Sequence, residues 1–310
     1  MSEITVVGSL NMDLVVRAPR FPGPGETIAG HDFHTIPGGK GANQAVASAR
    51  QGADVVMVGR VGDDAFGRRL RETLHRDGVD TRYVTTDPAA PTGVAVIAVD
   101  EAGENRIILA TGANGQVSPA DVDAASPAIA QADVLVIQLE VPVAAVMRAV
   151  EVAQEHEVTV ILNPAPARRL PADLLAGVDY LIPNESEAAL LTNNDPSRPE
   201  QATQALREAG VRSVVVTLGE QGALLVDDAG SKTVRGFPVQ VVDTTAAGDA
   251  FVGAFAVALA EGKPALEAVR RANAAGALAT TVLGAQPSLP TRAAVDEFLA
   301  HSLSKGDFGS

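Results

Sequence analysis

The sequence predicts an α/β fold of three layers, in which helices cover both faces of a mostly parallel central sheet and a small β-sheet lid lies over one end. From residue 133 onward, short apolar runs alternate regularly with helical segments. Such alternation is typical of parallel strands joined by crossover helices. Since no linker, low-complexity segment or internal repeat interrupts the chain, one domain is expected over residues 1–310. The apolar runs predict strands at residues 134–139, 158–162, 180–182, 213–218 and 223–226.

The first third of the chain predicts the lid. Between buried strands expected at 4–9 and 54–61, a loop rich in proline and glycine separates a short apolar piece from a weakly alternating segment that ends at Ile36. Later, two half-apolar runs flank the turn at 100–104, which is a good hairpin signal. We therefore expect a β lid built from about residues 14–37 and 92–111. Its uncovered strand edges favour pairing with a second copy, and hence a homodimer through the lid.

The composition argues against several classes of function. The 310 residues are 46% hydrophobic, which is ample for a core, but only 3% aromatic with no Trp. Base-stacking platforms are therefore scarce, and a net charge of −14 argues against a nucleic-acid partner, which needs clustered basic residues. The absence of cysteine excludes disulfides and thiolate chemistry and fits a reducing compartment. Without a signal-peptide pattern or a membrane-spanning segment in the sequence, a cytoplasmic protein with no membrane partner is expected.

The segment 241–251 predicts an anion site at the start of a helix. It passes from an apolar strand end through Thr244 and Thr245, either of which could cap the helix, into three small residues at 246–248. Small side chains leave the first-turn N–H groups open to a ligand, and the helix dipole favours a phosphate there. A carboxylate beside such a cradle suits phosphoryl transfer, with Asp249 accepting a hydroxyl proton. The alternative is a first-turn acid that only stabilises the helix.

Other polar residues gather where predicted strands end, which is the edge where ligands bind in open α/β sheets. Asn11 and Asp13, two apart on an extended segment, point the same way and suit a hydroxyl-rich ligand, or else form an Asx turn. Residues 37–44 bring glycines, Lys40 and Asn43 to a helix start, but they match neither a P-loop nor a dinucleotide fingerprint. Further strand ends carry polar residues at 140, 163, 184–187 and 217–222.

Two segments far apart in the chain resemble the two signature patterns of the ribokinase-like (phosphofructokinase-B-type) carbohydrate kinases. They are Gly38-Gly39-Lys40-Gly41-Ala42-Asn43-Gln44 and Asp243-Thr244-Thr245-Ala246-Ala247-Gly248-Asp249. Shorter matches at 8–13, 163–167, 184–187 and 284–288 extend the resemblance over essentially the whole chain. Their occurrence together and in order is far more specific than any one of them. The resemblance implies transfer of a phosphoryl group from ATP to the 5-hydroxyl of D-ribose.

The resemblance also implies roles for individual residues. Asp249 would be the general base, and the anion hole would consist of Ala246, Ala247 and Gly248. Together with Asp249, the sugar would be held by Asn11, Asp13, Gly39, Lys40, Asn43 and Glu140. The ATP site would be lined by Asn184, Glu187, Thr217, Gly219, Gly222, Gly248 and Asn273. Mg²⁺ would accompany ATP near Glu187, through water. A K⁺-type monovalent activator would bind, largely through backbone carbonyls, at Asp243, Thr245, Ala279, Val282, Gly284 and Ser288.

Two positions depart from the family pattern, and other functions compete. Asn273 stands where relatives often carry His, which concerns the adenine contact, and Ala246 stands where many carry Gly. Within the class, the alternative is a kinase for another sugar or a nucleoside, such as deoxyribose, fructose or adenosine. Outside it, the alternative is a non-catalytic sugar-binding protein, which would not need Asp249 beside an anion cradle. A zinc hydrolase is disfavoured, because His31 and His34 would point to opposite faces of a strand.

Overall fold

The computed structural model describes residues 2–304, and strands and helices alternate along them. The strands are β1 (Glu3–Val7), β2 (Asn11–Arg17), β3 (Asp32–Gly38), β4 (Asp54–Gly62), β5 (Asp80–Asp87), β6 (Gly93–Val99), β7 (Asn105–Ala110), β8 (Val134–Ile137), β9 (Thr159–Leu162), β10 (Tyr180–Leu181), β11 (Ser213–Thr217), β12 (Gly222–Asp227) and β13 (Gly230–Arg235). The helices are α1 (Lys40–Arg50), α2 (Ala65–Arg76), α3 (Pro119–Gln131), α4 (Val143–Glu155), α5 (Ala172–Ala176), α6 (Glu185–Thr192), α7 (Pro199–Glu208), α8 (Ala247–Ala260), α9 (Ala265–Ala279), α10 (Ala285–Ser288) and α11 (Arg292–Ser304).

The central sheet confirms the predicted fold class. Within residues 2–304 it contains nine strands in the order β13-β12-β11-β10-β9-β8-β1-β4-β5. The pairs from β11 through β5 are parallel, and only β12 and β13 are added antiparallel at one edge. Parallel strands send their carboxyl ends to one edge of the sheet, so the polar residues that follow β1, β8 and β9 meet there.

Apolar side chains on the two faces of the sheet form two separate cores. Along β8, Val134 and Val136 join the cluster that contains α8 and α9, whereas Leu135 and Ile137 join the cluster that contains α3 and α4. This alternation follows from the two-residue period of a strand. Because helices cover both faces, the inner strands are mostly apolar, and β8 consists only of apolar residues. The result is the three-layer arrangement that the sequence predicts.

A second sheet forms the predicted lid, with strand order β3-β2-β6-β7. It begins earlier than expected, since β2 starts at Asn11 rather than near residue 14. Asn11 pairs with Gly38 on one side and Gly93 on the other, so this segment is extended and forms no Asx turn. Asn11 and Asp13 therefore share one face of the lid, and both are buried. None of the helices in the described residues is long and apolar enough to cross a membrane.

Several elements differ from the sequence-based expectation. The strands β5 and β13 and the helix α3 were not predicted. The weakly alternating segment over residues 27–36 is extended only in part, since residues 27–31 lie outside β3. Both missed strands are largely polar and partly exposed, so they lack the apolar signal that the other strands carry. The sequence predicts one helix from Pro264 through Thr281, but α9 ends at Ala279, because the Thr280 carbonyl accepts hydrogen bonds from the backbone N–H groups of Val242 and Asp243. The sequence also predicts a loose tail over residues 304–310, of which residues 305–310 lie outside the described residues.

Candidate active site

The predicted base lies at the carboxyl edge of the sheet, between the first turns of α1 and α8. Asp249 is buried, with 6% of its surface exposed. Its Oδ2 accepts a hydrogen bond from Asn43 Nδ2 at 2.9 Å, and its Oδ1 accepts one from Gln44 Nε2 at 2.9 Å. Both donors belong to α1. Helix α1 therefore fixes the plane of the carboxylate, and the structure brings Asp249 and Asn43 together. The Oδ1 of Asn43 is also buried and has no partner in the described residues.

Electrostatics in this site are set by burial and by one ammonium group among carboxylates. Burial raises the pKa of Asp249, and the Lys40 ammonium and the two amide donors oppose that rise. A carboxylate whose pKa is raised in this way is a better proton acceptor than an exposed one. Burial alone would lower the pKa of Lys40, but the carboxylates of Asp249, Glu140 and Glu187 raise it. Lys40 therefore remains charged beside the base.

The prediction that Thr244 or Thr245 caps α8 is wrong. The N-cap residue is Ala246, and no side chain caps the helix. Thr245 instead donates its backbone N–H and its hydroxyl to Asp243 Oδ1, at 2.9 and 2.7 Å. The Ala247 N–H makes a long bond of 3.3 Å to the Thr244 carbonyl, and no acceptor in residues 2–304 engages the N–H of Gly248. The first turn is therefore left open to an anionic ligand, as the small residues predict.

Ala246 has a left-handed backbone, with φ 60° and ψ 9°. For a residue with a Cβ this conformation costs roughly 1–2 kcal/mol, whereas glycine adopts it freely. Alanine therefore fits the shape of this turn but carries strain. Because the strained residue immediately precedes the open N–H groups, the strain lies at the anion site itself.

A polar cavity of about 220 Å³ lies against Asp249 and is lined by Lys40, Asn163, Asn184 and Glu187, among others. Asn184 caps α6: its Oδ1 accepts from the Glu187 N–H at 2.8 Å, and its own N–H donates to Glu187 Oε2 at 2.9 Å. Glu187 Oε1 accepts no hydrogen bond from the described residues. Burial is the main cause that raises the pKa of Glu187. The predicted Mg²⁺ neighbours thus form one unit that faces Lys40 and the base.

The sugar side is organised around Glu140, which follows β8. Glu140 Oε2 accepts hydrogen bonds from the Ser9 hydroxyl, from Asn11 Nδ2 at 3.3 Å and from the Lys40 N–H at 3.2 Å. Asn114, which was not predicted, donates from Nδ2 to Asn11 Oδ1 at 2.7 Å and holds the backbone of residue 10 through both ends of its amide. The predicted sugar ligands Asn11 and Glu140 are therefore held rigidly together.

Gly39 connects these residues to Lys40. Its φ is 89°, and a Cβ at this position would lie 2.6 Å from the Asn11 backbone nitrogen. Only glycine therefore allows the chain to turn from β3 into α1 this close to β2. The close approach places Lys40 at the first position of α1, beside Glu140.

The Asp13 carboxylate accepts no hydrogen bond from the described residues. It lines a cavity of about 140 Å³ between the lid and the body, together with Arg17, Asp243 and Gly284. Burial, and then repulsion from Glu140 and Asp249, raises the pKa of Asp13 to about 7. A buried carboxylate without donors is unstable unless a ligand supplies them.

A second, larger cavity of about 530 Å³ is lined by most of the predicted ATP residues. It shares Thr217, Thr244 and Gly248 with the smaller cavity, so the two are continuous at the start of α8. Asn273 donates from Nδ2 to the carbonyls of Val234 and Arg235 at 3.0 and 3.2 Å, and its Oδ1 accepts no hydrogen bond from the described residues. The predicted ATP residues that line this larger cavity are Thr217, Gly219, Gly222, Gly248 and Asn273. Asn184 and Glu187 line only the smaller one.

The positions assigned to a monovalent cation meet beside α8. Asp243 Oδ2 accepts a hydrogen bond from the Gly284 N–H at 2.8 Å, which joins the two loops. Burial opposes ionisation of Asp243, but hydrogen bonds from Thr245 and Gly284 outweigh it and lower its pKa. Ala279 and Val282 are joined by a long backbone bond of 3.4 Å, and the Ser288 hydroxyl donates to the Ala285 carbonyl. No cluster of three acidic or His side chains in residues 2–304 could hold a metal by itself.

Two glutamines near the base were not predicted from the sequence as site residues. Gln44 was noticed only as part of a signature, although it donates to Asp249 and, at 3.1 Å, to Asn163 Oδ1. Gln138 is fully buried and donates from Nε2 to Gln44 Oε1 at 2.6 Å. The sequence shows only that Gln138 follows the apolar residues of β8, two positions before Glu140, and this does not indicate which residue its amide contacts.

Comparison with known proteins shows the family to which this chain belongs. The model of the pfkB family of carbohydrate kinases matches residues 1–292. The chain is 42% identical to a ribokinase of Haemophilus influenzae over 302 residues, covering 96% of this chain and 99% of that protein. It is 45% identical to a ribokinase of Schizosaccharomyces pombe over 309 residues, covering 96% and 97% of the two chains. The structure of Arabidopsis thaliana ribokinase complexed with ribose and ATP matches with a TM-score of 0.89 and 36% identity, over 96% of this chain and 99% of that one.

Proposed function

This chain belongs to the pfkB family of carbohydrate kinases, and from that premise we propose that it transfers the γ-phosphoryl group of ATP to the 5-hydroxyl of D-ribose. The observation that carries the proposal is the position of Asp249. Asp249, a buried base with a raised pKa, lines the polar cavity together with Lys40, and this cavity shares Thr217, Thr244 and Gly248 with the nucleotide-sized cavity. A sugar-binding protein would have no use for a base beside open helix N–H groups.

The chemistry follows from what each residue can donate or accept. Asp249 accepts the proton of the 5-hydroxyl while that oxygen bonds to the γ-phosphorus and the bond from phosphorus to the ADP oxygen breaks. The N–H of Gly248 and the Lys40 ammonium face the charge that develops on the phosphoryl oxygens. Asn43 Oδ1 and the Asp13 carboxylate, which lack partners in residues 2–304, accept from the sugar hydroxyls.

Mg²⁺ fits the residues that line the smaller cavity. Glu187 presents a carboxylate oxygen there that accepts no hydrogen bond from residues 2–304, and the carboxylates of Glu187 and Asp249 lie in the same cavity as the Lys40 ammonium. The polyphosphate of ATP would add further negative charge, so it needs an accompanying cation. Glu187 would hold the ion through water, and the ion would neutralise the phosphate oxygens when bound.

K⁺ fits the loops joined by Asp243 and Gly284. Hydrogen bonds hold the Asp243 carboxylate in its ionised form, and a carboxylate oxygen suits a hard, weakly charged ion. We assign this ion to Asp243, Thr245, Ala279, Val282, Gly284 and Ser288. When bound, it would add positive charge beside the first turn of α8.

The lid provides the surface for a second copy. Val96 pairs with Leu14 and Ile108, so these side chains share the face opposite Asp13. Ile108 is 72% exposed and Val96 is 43% exposed, and Phe33 on the same face is 59% exposed. Such a row of exposed apolar side chains on a sheet favours an interface, and we propose a homodimer through the lid. We also expect the protein to act in the cytoplasm, where ATP is supplied.

The test is ADP release by the purified protein with MgATP and a panel of ribose, deoxyribose, fructose and adenosine. We expect turnover that depends on ribose and that K⁺ stimulates over choline at equal ionic strength. Turnover only with another acceptor would retain Asp249 as the base but overturn the assignment of the sugar residues. No turnover with any acceptor would favour a binding protein instead.

A further inference from the structure

A chain of buried amides connects β8 to the base. Gln138, just after β8, donates from Nε2 to Gln44 Oε1 at 2.6 Å, and Gln44 donates from Nε2 to Asp249 Oδ1 at 2.9 Å. Both glutamines are fully buried. Gln138 touches neither of the cavities that contain the predicted substrates. Gln44 is therefore the residue that connects Gln138 to the base.

The bonds of Gln44 determine which end of its amide faces the base. Its two Nε2 hydrogens go to Asp249 Oδ1 and, at 3.1 Å, to Asn163 Oδ1, and its Oε1 accepts from Gln138. If the Gln44 amide were reversed, its Oε1 would face the Asp249 carboxylate. Its Nε2 would then face the Nε2 of Gln138, so that two donors would meet. Gln138 thus stabilises the one orientation in which Gln44 donates to the base. Hydrogen bonds in such a series also polarise one another, which strengthens the last bond to the carboxylate.

Gln138 carries a cost that packing alone does not explain. Its Oε1 is buried and has no hydrogen-bond partner in the described residues. That oxygen lies against Gly8, where an added Cβ would collide with it. An apolar side chain of similar volume at position 138 would avoid the unpaired acceptor. The amide is therefore better explained by its action on Gln44 than by stability.

We propose that Gln138 is a positioning residue for Asp249, acting through Gln44. The inference rests on the proposed role of Asp249 as the base. Gln138 holds the Gln44 amide with its N–H toward Oδ1, and this keeps the carboxylate in one plane and favours its ionised form. Loss of that support lets Gln44 move away from Oδ1, so Asp249 is protonated at a higher pH and is less well aligned with the sugar hydroxyl.

The test compares Gln138→Met, which keeps the shape and removes the donor, with Gln51→Met as a matched control. Gln51 is equally buried at the end of α1, but it donates to the Pro290 carbonyl, away from the base. In Gln138→Met we expect kcat at pH 7 to fall about three- to tenfold, with the acid limb of the pH profile moved up by about half a pH unit. We expect the KM for ATP to be unchanged. Gln51→Met should leave the pH profile in place.

Gln138→Glu provides a rescue that a purely structural role would not show. A buried, protonated carboxyl at this position can donate its O–H to Gln44 Oε1, whereas the ionised form cannot and adds a negative charge. We therefore expect Gln138→Glu to turn over ribose at close to the wild-type rate at the acid end of the pH profile. Its rate should fall below that of the wild type as pH rises. This variant also serves if Gln138→Met does not fold.

A second readout does not depend on turnover. The Asp249 carboxyl can be titrated by ¹³C NMR, with its resonance identified through Asp249→Asn. We expect its pKa to rise in Gln138→Met and to stay unchanged in Gln51→Met. An unchanged titration in Gln138→Met would overturn the inference. If the wild-type protein turns over no sugar, the proposed function fails, and the titration still decides the role of Gln138.

Discussion

Replacing Asp13 with Asn is expected to stabilise the unliganded protein at pH 8 while weakening its binding of ribose. Asp13 is buried under the lid, receives no hydrogen bond from the described residues, and faces Glu140 and Asp249. Burial and this repulsion raise its pKa from 3.8 to about 7. The carboxylate therefore destabilises the empty site and becomes favourable only when sugar hydroxyls donate to it.

The magnitude follows from linkage between folding and protonation. An acid whose pKa is higher in the folded state destabilises that state progressively as pH rises through the interval between the two values, here from 3.8 to about 7. The full penalty, present above pH 7, corresponds to at most about 4 kcal/mol. An asparagine amide without partners keeps a desolvation cost of about 1–3 kcal/mol. The net gain of Asp13→Asn at pH 8 is therefore about 1–3 kcal/mol, and it shrinks as pH falls toward 4.

Urea denaturation of both proteins at several pH values measures this difference. Asp243→Asn is the matched control, because Asp243 lines the same cavity but has a lowered pKa. Its contribution has the opposite sign: it stabilises the protein above the unfolded pKa and is lost as pH falls. Asp243→Asn should therefore lose stability at pH 8. A loss of stability in Asp13→Asn at pH 8, or a gain that does not depend on pH, would show that the Asp13 carboxylate does not destabilise the empty site.

Three further outcomes are expected. Ala246→Gly should raise the free energy of unfolding by about 0.5–1 kcal/mol in urea denaturation and retain turnover. The strain energy that is relieved exceeds the entropic cost of the more flexible unfolded chain, and a loss of stability would contradict this. The kcat/KM for ATP should be at least about tenfold higher than that for GTP. Asn273 Oδ1, which accepts no hydrogen bond from the described residues, can accept one from the amino group of adenine but repels the carbonyl of guanine. Equal kcat/KM values would show that Asn273 does not distinguish the two bases. Ile108→Lys should sediment as a monomer at concentrations where the wild type is a dimer, and an unchanged oligomeric state would exclude this face of the lid.

The sequence predicted the fold well where its signals are local. The apolar runs that became β8 and β9 are buried on both faces, and their alternation with helices is visible without a structure. Strands β5 and β13 could not be found in this way, because their polar residues face solvent and their pairing depends on neighbouring strands. Tertiary pairing overrides weak local preference in such cases.

The candidate site, like the fold, was predictable only where its signals are local in the sequence. Asp249 and Lys40 stood out because small residues and glycines surround them in the sequence, and the resemblance then supplied their roles. The amide chain through Gln44 and Gln138 joins residues 94 and 205 positions apart, which one sequence cannot reveal. Thr245 was misread as a cap because its bond to Asp243 belongs to a loop that Gly284, 41 residues away from Asp243, also holds.

The most direct test of the account is the turnover of Asp249→Asn beside its affinity for ATP. The substitution removes a buried charge, and the amide keeps one acceptor for the donors on α1, so the variant should fold. The nucleotide cavity is formed by other residues, so the Kd for ATP should stay within about threefold of wild type. Without a proton acceptor, ribose-dependent kcat should fall about 10²- to 10⁴-fold. A kcat within about threefold of wild type would show that Asp249 is not the base.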